Sequence, residues 1–320
     1  MISELILPFQ QRRMMFPRLN SSNCNSLASS SWLKAGLLLA TCFAIPWNGV
    51  ANSQEPQKAS KAPPQIDSSE LKITFLANEG FLIKGGGKSI LMDAFIKDEY
   101  YGYGNLPLDE YKNLVGGLSP FDGVQLALTS HVHLDHFQAP TATKFLQNNR
   151  GCEFVSTEQV TLKIKELKDA NVQNQMTSVW PDQGVIQPLK INDISIKVFR
   201  LRHANPRNYK IQNLGFIVQL DGLKVLHVGD AESRLANFEG LKLPAQKIDV
   251  AILPYWMFGN KNLVSAQIAA REYVAAHIPT GQVKQIKKQF ATLHPGVQVF
   301  ETPLESRSFK FALITKFAPK

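Results

Sequence analysis

The chain has 320 residues, of which 44% are hydrophobic and 19% charged, with a formal net charge of +9. These proportions exclude a disordered or fibrous chain and permit one large globular domain or two small ones. The positive charge is modest and argues against a nuclease.

The N-terminus reads as a targeting segment. Arg12, Arg13, Arg18 and Lys34 precede an apolar run over 35–45, and Gly49-Val50-Ala51 offers the small residues that a signal peptidase reads. Residues 1–51 are therefore expected to be a signal peptide for export, to a bacterial periplasm. The apolar run is short for a transmembrane helix, so no integral span is expected after cleavage. Cleavage leaves 31 basic and 25 acidic side chains, a net +6, and Cys152 as the lone cysteine. A mature chain with one cysteine has no internal disulfide, and Cys152 reads as a small buried hydrophobe. Residues 52–70, rich in Pro, Ser, Gln and Lys, read as a flexible tether, with the folded domain over 71–320.

The folded part opens with short strands over 71–77, 80–84 and 89–95, separated by turn residues. Residues 97–107, with Tyr100, Tyr101 and Tyr103, read as a loop. The apolar run over 124–128 reads as a strand, and helices are expected over 138–149 and 158–170. Strands return at 194–201, 215–220 and 224–228, and Asp221-Gly222 between the last two is a strong hairpin signal. A strand at 248–253 follows, after which 263–273 and 283–293 alternate with short strands at 274–277 and 297–300. Strand-rich stretches in both halves, with helices between, predict an α/β fold. Two sheets would pack on each other and helices would cover their outer faces.

Directly after the run at 124–128 come His131, His133, Asp135 and His136, four of the chain's most telling side chains, although it has only seven histidines in all. Imidazoles and a carboxylate this close together are costly to hold without a cation. If the strand continues into the motif, His131 and His133 point the same way. His203, Asp230 and His277 each follow a predicted strand, where a side chain can project from a sheet edge into a shared cleft. Taken singly, each also fits a structural residue; together they point to a metal site.

These residues resemble the metallo-β-lactamase superfamily, over roughly residues 71–314. The family motif H-x-H-x-D-H is met by His131, His133, Asp135 and His136. Its next ligand matches His203, its bridging Asp matches Asp230, and its last His matches His277. Asp93, in Leu91-Met92-Asp93-Ala94, looks like the family's early Asp. The resemblance implies a four-layer αββα sandwich of two mixed β-sheets flanked by helices, with a dinuclear, usually zinc, site at one edge. It further implies His131, His133 and His203 around one metal, Asp135, His136 and His277 around the other, and Asp230 bridging both. Within the superfamily, the segments around Asp93, Asp230 and His277 look most like the L-ascorbate-6-phosphate lactonase-like branch. Asn78-Glu79-Gly80 departs from that branch, which often carries a His there.

Two Zn2+ ions are the implied cofactors, with Mn2+ or Fe2+ as alternatives. Zinc on imidazole and carboxylate lowers the pKa of a bound water to about 7. Two metals about 3.5–4 Å apart can also polarise the electrophile. Asp135 would additionally orient the nucleophile. The expected activity is hydrolysis of an ester, lactone, amide or phosphodiester in a small-molecule or lipid-like substrate. The alternatives are β-lactam hydrolysis, against which the bridging Asp230 counts, and a metal-binding protein without turnover. Asp93 reads either as acceptor of a ligating imidazole's distal N–H or as a structural residue. His227 reads as core or as a support for the site, and His294 as a surface turn residue. The aromatics Tyr100, Tyr101 and Tyr103, and Tyr255, Trp256 and Phe258, either grip an apolar substrate or pack their loops on themselves. Arg202, Arg207 and Asn208 suit a phosphate or carboxylate, or are ordinary surface groups. The cluster Lys284, Lys287 and Lys288 reads as a solvated helix face or as an attraction for anionic partners.

Overall fold

The structure, a computed structural model, describes residues 68–312, in which fourteen strands and four α-helices frame the fold. The expected signal peptide and most of the expected tether lie outside those residues. The first half runs β1 (Ser68–Ala77), β2 (Gly80–Gly85), β3 (Lys88–Met92), α1 (Leu108–Gly116), β4 (Leu126–Leu128), α2 (Ala139–Asn148), β5 (Glu153–Ser156), α3 (Glu158–Lys165) and β6 (Met176–Ser178). The second runs β7 (Gln187–Ile191), β8 (Ile194–Leu201), β9 (Asn213–Leu220), β10 (Leu223–His227), β11 (Val250–Pro254), β12 (Glu272–Ala276), α4 (Val283–Leu293) and β13 (Gln298–Val299). Strand β14 (Ser306–Ala312) then returns to the first half.

The strands form two seven-stranded sheets, ordered β14-β1-β2-β3-β4-β5-β6 and β13-β12-β11-β10-β9-β8-β7. Each is mixed. The first is antiparallel from β14 to β3 and parallel from β3 to β6. The second is antiparallel from β7 to β10 and parallel from β10 to β13. Alternating residues feed different layers. Ile194, Ile196 and Val198 of β8 join Phe216 and Val218 of β9 in a core between the sheets, facing Ile73, Phe81 and Ile90. Phe199 and Ile217 point the other way, into a core closed by Ile286 and Phe290 of α4. Leu82, Leu91 and Phe154 pack outward on Leu114, Phe145 and Ile164 of α1, α2 and α3. These three apolar layers make the αββα sandwich expected from the resemblance.

The β9–β10 hairpin turns at Asp221 (φ 50°) and Gly222 (φ 77°), with Leu220 opposite Leu223. Both central residues are left-handed, as a tight hairpin that follows the strand twist requires. Strand β1 begins at Ser68, inside the segment expected to be tether, because Ser68 to Glu70 pair with Lys310 to Ala312 of β14. That partner lies at the far end of the chain, and the polar Ser-Ser-Glu carries no apolar pattern of its own. Helix α1 and strands β5, β6, β7 and β14 add to the expected elements. Residues 263–273 form only a π-helical turn over Leu263–Ile268 before β12 begins. No helix among the described residues is long and apolar enough to cross a membrane.

Candidate metal centre

The donors stand beyond the carboxyl ends of four strands. Strand β4 stops at Leu128, so the strand does not carry His131 and His133 as expected; both lie in the loop that follows. They meet by using different nitrogens, with His131 Nε2 3.0 Å from His133 Nδ1. The backbone N–H groups of His136 and Phe137 donate to the His133 carbonyl at 3.0 and 2.8 Å, and this turn folds His136 back toward His131. His203 follows β8 and pairs across an isolated bridge with Ala231, which sets it beside Asp230. Asp230 follows β10 through Gly229 (φ 53°), where an added Cβ would lie 2.4 Å from Asn213 Oδ1. Only glycine fits that backbone so close to its neighbour. His277 follows β12, also left-handed (φ 56°), and its N–H donates to the Asn78 carbonyl at 3.3 Å.

The structure brings the seven predicted donors together in two adjacent sets, His131, His133, His203 and Asp230 in one and Asp135, His136 and His277 in the other, with Asp230 also close to the second. In the first, His133 Nδ1 lies 3.2 Å from His203 Nε2, and Asp230 Oδ2 lies 3.2 Å from His203 Nε2 and 3.8 Å from His131 Nε2. In the second, Asp230 Oδ1 lies 3.2 Å from His136 Nε2 and 3.0 Å from His277 Nε2. Asp135 Oδ2 completes it, 3.5 Å from His277 Nε2 and 3.7 Å from His136 Nε2. His133 is partly exposed and the other six are buried.

The arrangement fits cations. A tetrahedral ion with ligands at about 2.0–2.1 Å needs donor–donor edges of about 3.3 Å, and the edges here run from 3.0 to 3.8 Å. Asp230 Oδ1 and His277 Nε2 are 3.0 Å apart, yet neither has a hydrogen-bond partner of good geometry among the described residues. Burial pushes the His131 imidazole well below its ordinary value, and the neighbouring His136 adds to this. Burial and His203 together lower His133 to about 4. Both rings are thus neutral near pH 7, the form that ligates. At His136 and His277 burial also disfavours charge, but Asp230 and Asp135 outweigh it and hold both rings well above the ordinary value. Burial would raise Asp230, yet His277 and His136 keep it well below the usual carboxylate range. Those two imidazoles hold protons because buried carboxylates demand positive charge, and metal ions would supply the same charge.

Asp93 serves as an acceptor of an imidazole N–H: its Oδ2 lies 2.8 Å from His136 Nδ1, and its Oδ1 accepts the Ser130 N–H at 2.6 Å. Two residues sequence reasoning did not assign stand beside it. Asn78 donates from Nδ2 to the Asp135 carbonyl at 3.0 Å and to Asp135 Oδ2 at 3.2 Å. The Glu79 carboxylate is buried without a hydrogen bond among the described residues, its Oε2 3.5 Å from His227 Nε2, and is pushed up to about 8 by that burial, with His136 opposing. The departure at Asn78-Glu79-Gly80 was the available signal for both. His227 Nδ1 accepts the Gly229 N–H at 3.2 Å, which leaves Nε2 to donate to the Glu79 carbonyl at 3.2 Å. Both its nitrogens are occupied, so His227 supports the site as a buried group and adds no donor. Cys152 is buried away from the donors, and burial raises its thiol. Arg202 is exposed, 3.9 Å from Glu232, a partner it shares with Arg234. Tyr103 and Trp256 pack against His277, with ring centroids 4.2 and 4.9 Å away, while Tyr101 is 67% exposed.

Comparison with known proteins agrees with this architecture. A UPF0173 metal-dependent hydrolase of Pyrococcus furiosus is 30% identical over 192 residues, 58% of this chain and 72% of the relative. The solved structure of Igni18, a metallo hydrolase of Ignicoccus hospitalis, superposes with a TM-score of 0.54 at 21% identity, covering 76% of this chain and 99% of that one. The metallo-beta-lactamase fold protein YhfI of Bacillus subtilis superposes with a TM-score of 0.52 at 15% identity, covering 76% and 100%. At such identities the two structures speak for the fold alone. The family model described as a beta-lactamase superfamily domain matches residues 72–275, from β1 to within two residues of the last donor, and the chain therefore belongs to the β-lactamase superfamily.

Proposed function

We propose that this chain, a metal-dependent hydrolase of the β-lactamase superfamily, holds two zinc ions and hydrolyses an ester, lactone, amide or phosphodiester. The observation that carries the proposal is Asp230, whose two carboxylate oxygens face different histidine sets at 3.0–3.2 Å. His131, His133 and His203 would hold one ion, Asp135, His136 and His277 the other, and Asp230 both. When bound, such ions supply Lewis acidity toward the substrate and ionise water near neutral pH.

The chain's own residues do the remaining work. Burial would raise Asp135, but His136 and His277 outweigh it and hold the carboxyl below its ordinary value. Its carboxylate is therefore ionised and can orient the attacking water, whose proton it would relay to the leaving oxygen or nitrogen as the scissile bond breaks. Asn78 Nδ2 holds that carboxylate in place. Exposed Tyr101 and Leu134, in the loops that carry Tyr103 and the first donors, support an apolar portion in the substrate. Export belongs to the proposal, supported by the basic and apolar segments before Ala51. Sequencing the secreted protein from Asn52 would sustain that part, and a retained N-terminus would remove it.

Metal analysis of the purified protein tests the reading, followed by p-nitrophenyl esters, lactones, bis(p-nitrophenyl) phosphate and nitrocefin. Two equivalents of zinc and turnover of one of the first three classes are expected. Manganese or iron in place of zinc would revise the ion and leave the donor assignment. His133→Ala should lose metal and activity together, and full turnover without metal would refute the mechanism. Nitrocefin hydrolysis would redirect it to β-lactams, and metal without any turnover to a binding protein.

A further inference from the structure

We infer that Tyr103 and Trp256 are positioning residues for His277, two aromatic rings that hold its imidazole where a hydrogen bond would ordinarily do so. The inference rests on the two-ion reading, which gives His277 to the second donor set. A ligating imidazole usually has its distal nitrogen bonded to a carboxylate, carbonyl or water, and that bond fixes the ring. Here His131 Nδ1 lies 2.9 Å from Ser130 Oγ, and His136 Nδ1 lies 2.8 Å from Asp93 Oδ2. His277 differs. Its Nδ1 is buried and has no hydrogen-bond partner among the described residues.

Two rings meet it instead. Tyr103 stands at 71° to the imidazole with centroids 4.2 Å apart, and Trp256 at 69° with centroids 4.9 Å apart. Edge-to-face contact of this kind is directional and resists rotation of the ring. Both aromatics are themselves anchored beside the donors. Trp256 Nε1 donates to the carbonyl of Ala231, the residue after Asp230, at 3.2 Å. Tyr103 rides on a loop whose Gly102 carbonyl accepts the Thr280 N–H at 2.9 Å and the Thr280 hydroxyl at 3.0 Å, three residues beyond His277. The clamp is therefore tied to the two segments that carry Asp230 and His277. The Tyr103 hydroxyl takes no hydrogen bond from a described residue, so its ring and not its oxygen makes the contact.

The test is a zinc titration of the metal-stripped full chain against a chromophoric chelator, with far-UV circular dichroism as a folding control. The parent protein should bind two equivalents, and His277→Ala should lose one. Tyr103→Ala should weaken one equivalent by at least ~10-fold, the scale of losing an imidazole's support, and leave the other unchanged. Tyr103→Phe should bind as the parent does. Trp256→Ala is the independent variant should Tyr103→Ala not fold. Parent-like binding of both equivalents in the alanine variants, or equal loss in Tyr103→Phe, overturns the inference alone. A single equivalent in the parent overturns the two-ion reading and the clamp with it.

Discussion

Asp230 is the residue on which two donor sets depend, because it contributes one oxygen to each. Asp230→Asn keeps its shape and removes its charge from a buried cluster of imidazoles. Metal content should fall to one equivalent or less, and turnover should fall by more than the ~10–100-fold typical of an outer support; zinc analysis and steady-state rates check this. The histidines also give the metal-free protein a pH signature. His133 has a folded pKa of about 4 against an ordinary value of 6.5. Between those values the unfolded chain binds a proton that the folded chain refuses, so this contribution to stability is present above 6.5 and is lost as pH falls toward 4. His136 and His277, raised in the fold, act with the opposite sign: their contribution is present below 6.5 and lost at alkaline pH. Denaturant midpoints of chelator-stripped protein at pH 7 and pH 5 should therefore converge partway in His133→Gln. An unchanged pH dependence would contradict the assignment.

Elements differ in what they give the site. Helix α3 begins at Thr157, whose hydroxyl accepts the Val160 N–H at 3.3 Å. Thr157→Ala should cost about 1 kcal/mol of stability and leave metal content untouched, since no donor lies on that helix. The turn after β10 is the contrast. Gly229→Ala forces a side chain into left-handed backbone 2.4 Å from Asn213 Oδ1, one residue before Asp230. It should lose metal affinity out of proportion to its loss of stability. Chelator titration beside denaturant unfolding separates the two effects. The β9–β10 hairpin was legible because Asp-Gly tolerates left-handed backbone at both turn positions, whereas α1, β5 and β7 have short or mixed patterns that periodicity does not resolve. The extra length of β1 could not be read at all, because its partner β14 pairs from the other end of the chain.

At the scale of the molecule, the centre exists only where two sheets meet. His131, His133, Asp135 and His136 follow the first sheet, and His203, Asp230 and His277 follow the second. Binding across that seam should couple metal to global stability, so the melting temperature should rise with free zinc and fall on chelation. Phe81 fills the core between the sheets, against Phe75 and Phe300. Phe81→Ala should cost about 3–5 kcal/mol and weaken zinc binding although it touches no donor, which thermal scans with and without zinc would measure.

The candidate donors were legible in the chain itself, because metal chemistry favours imidazole and carboxylate and each lies just past a recognisable apolar strand. Their convergence was decided by tertiary structure: which nitrogen of His131 and His133 faces inward, which oxygen of Asp230 serves which set, and which rings brace His277. Local patterning records which way a residue leaves its strand. It carries no information on the distance between two strands brought together by packing two sheets.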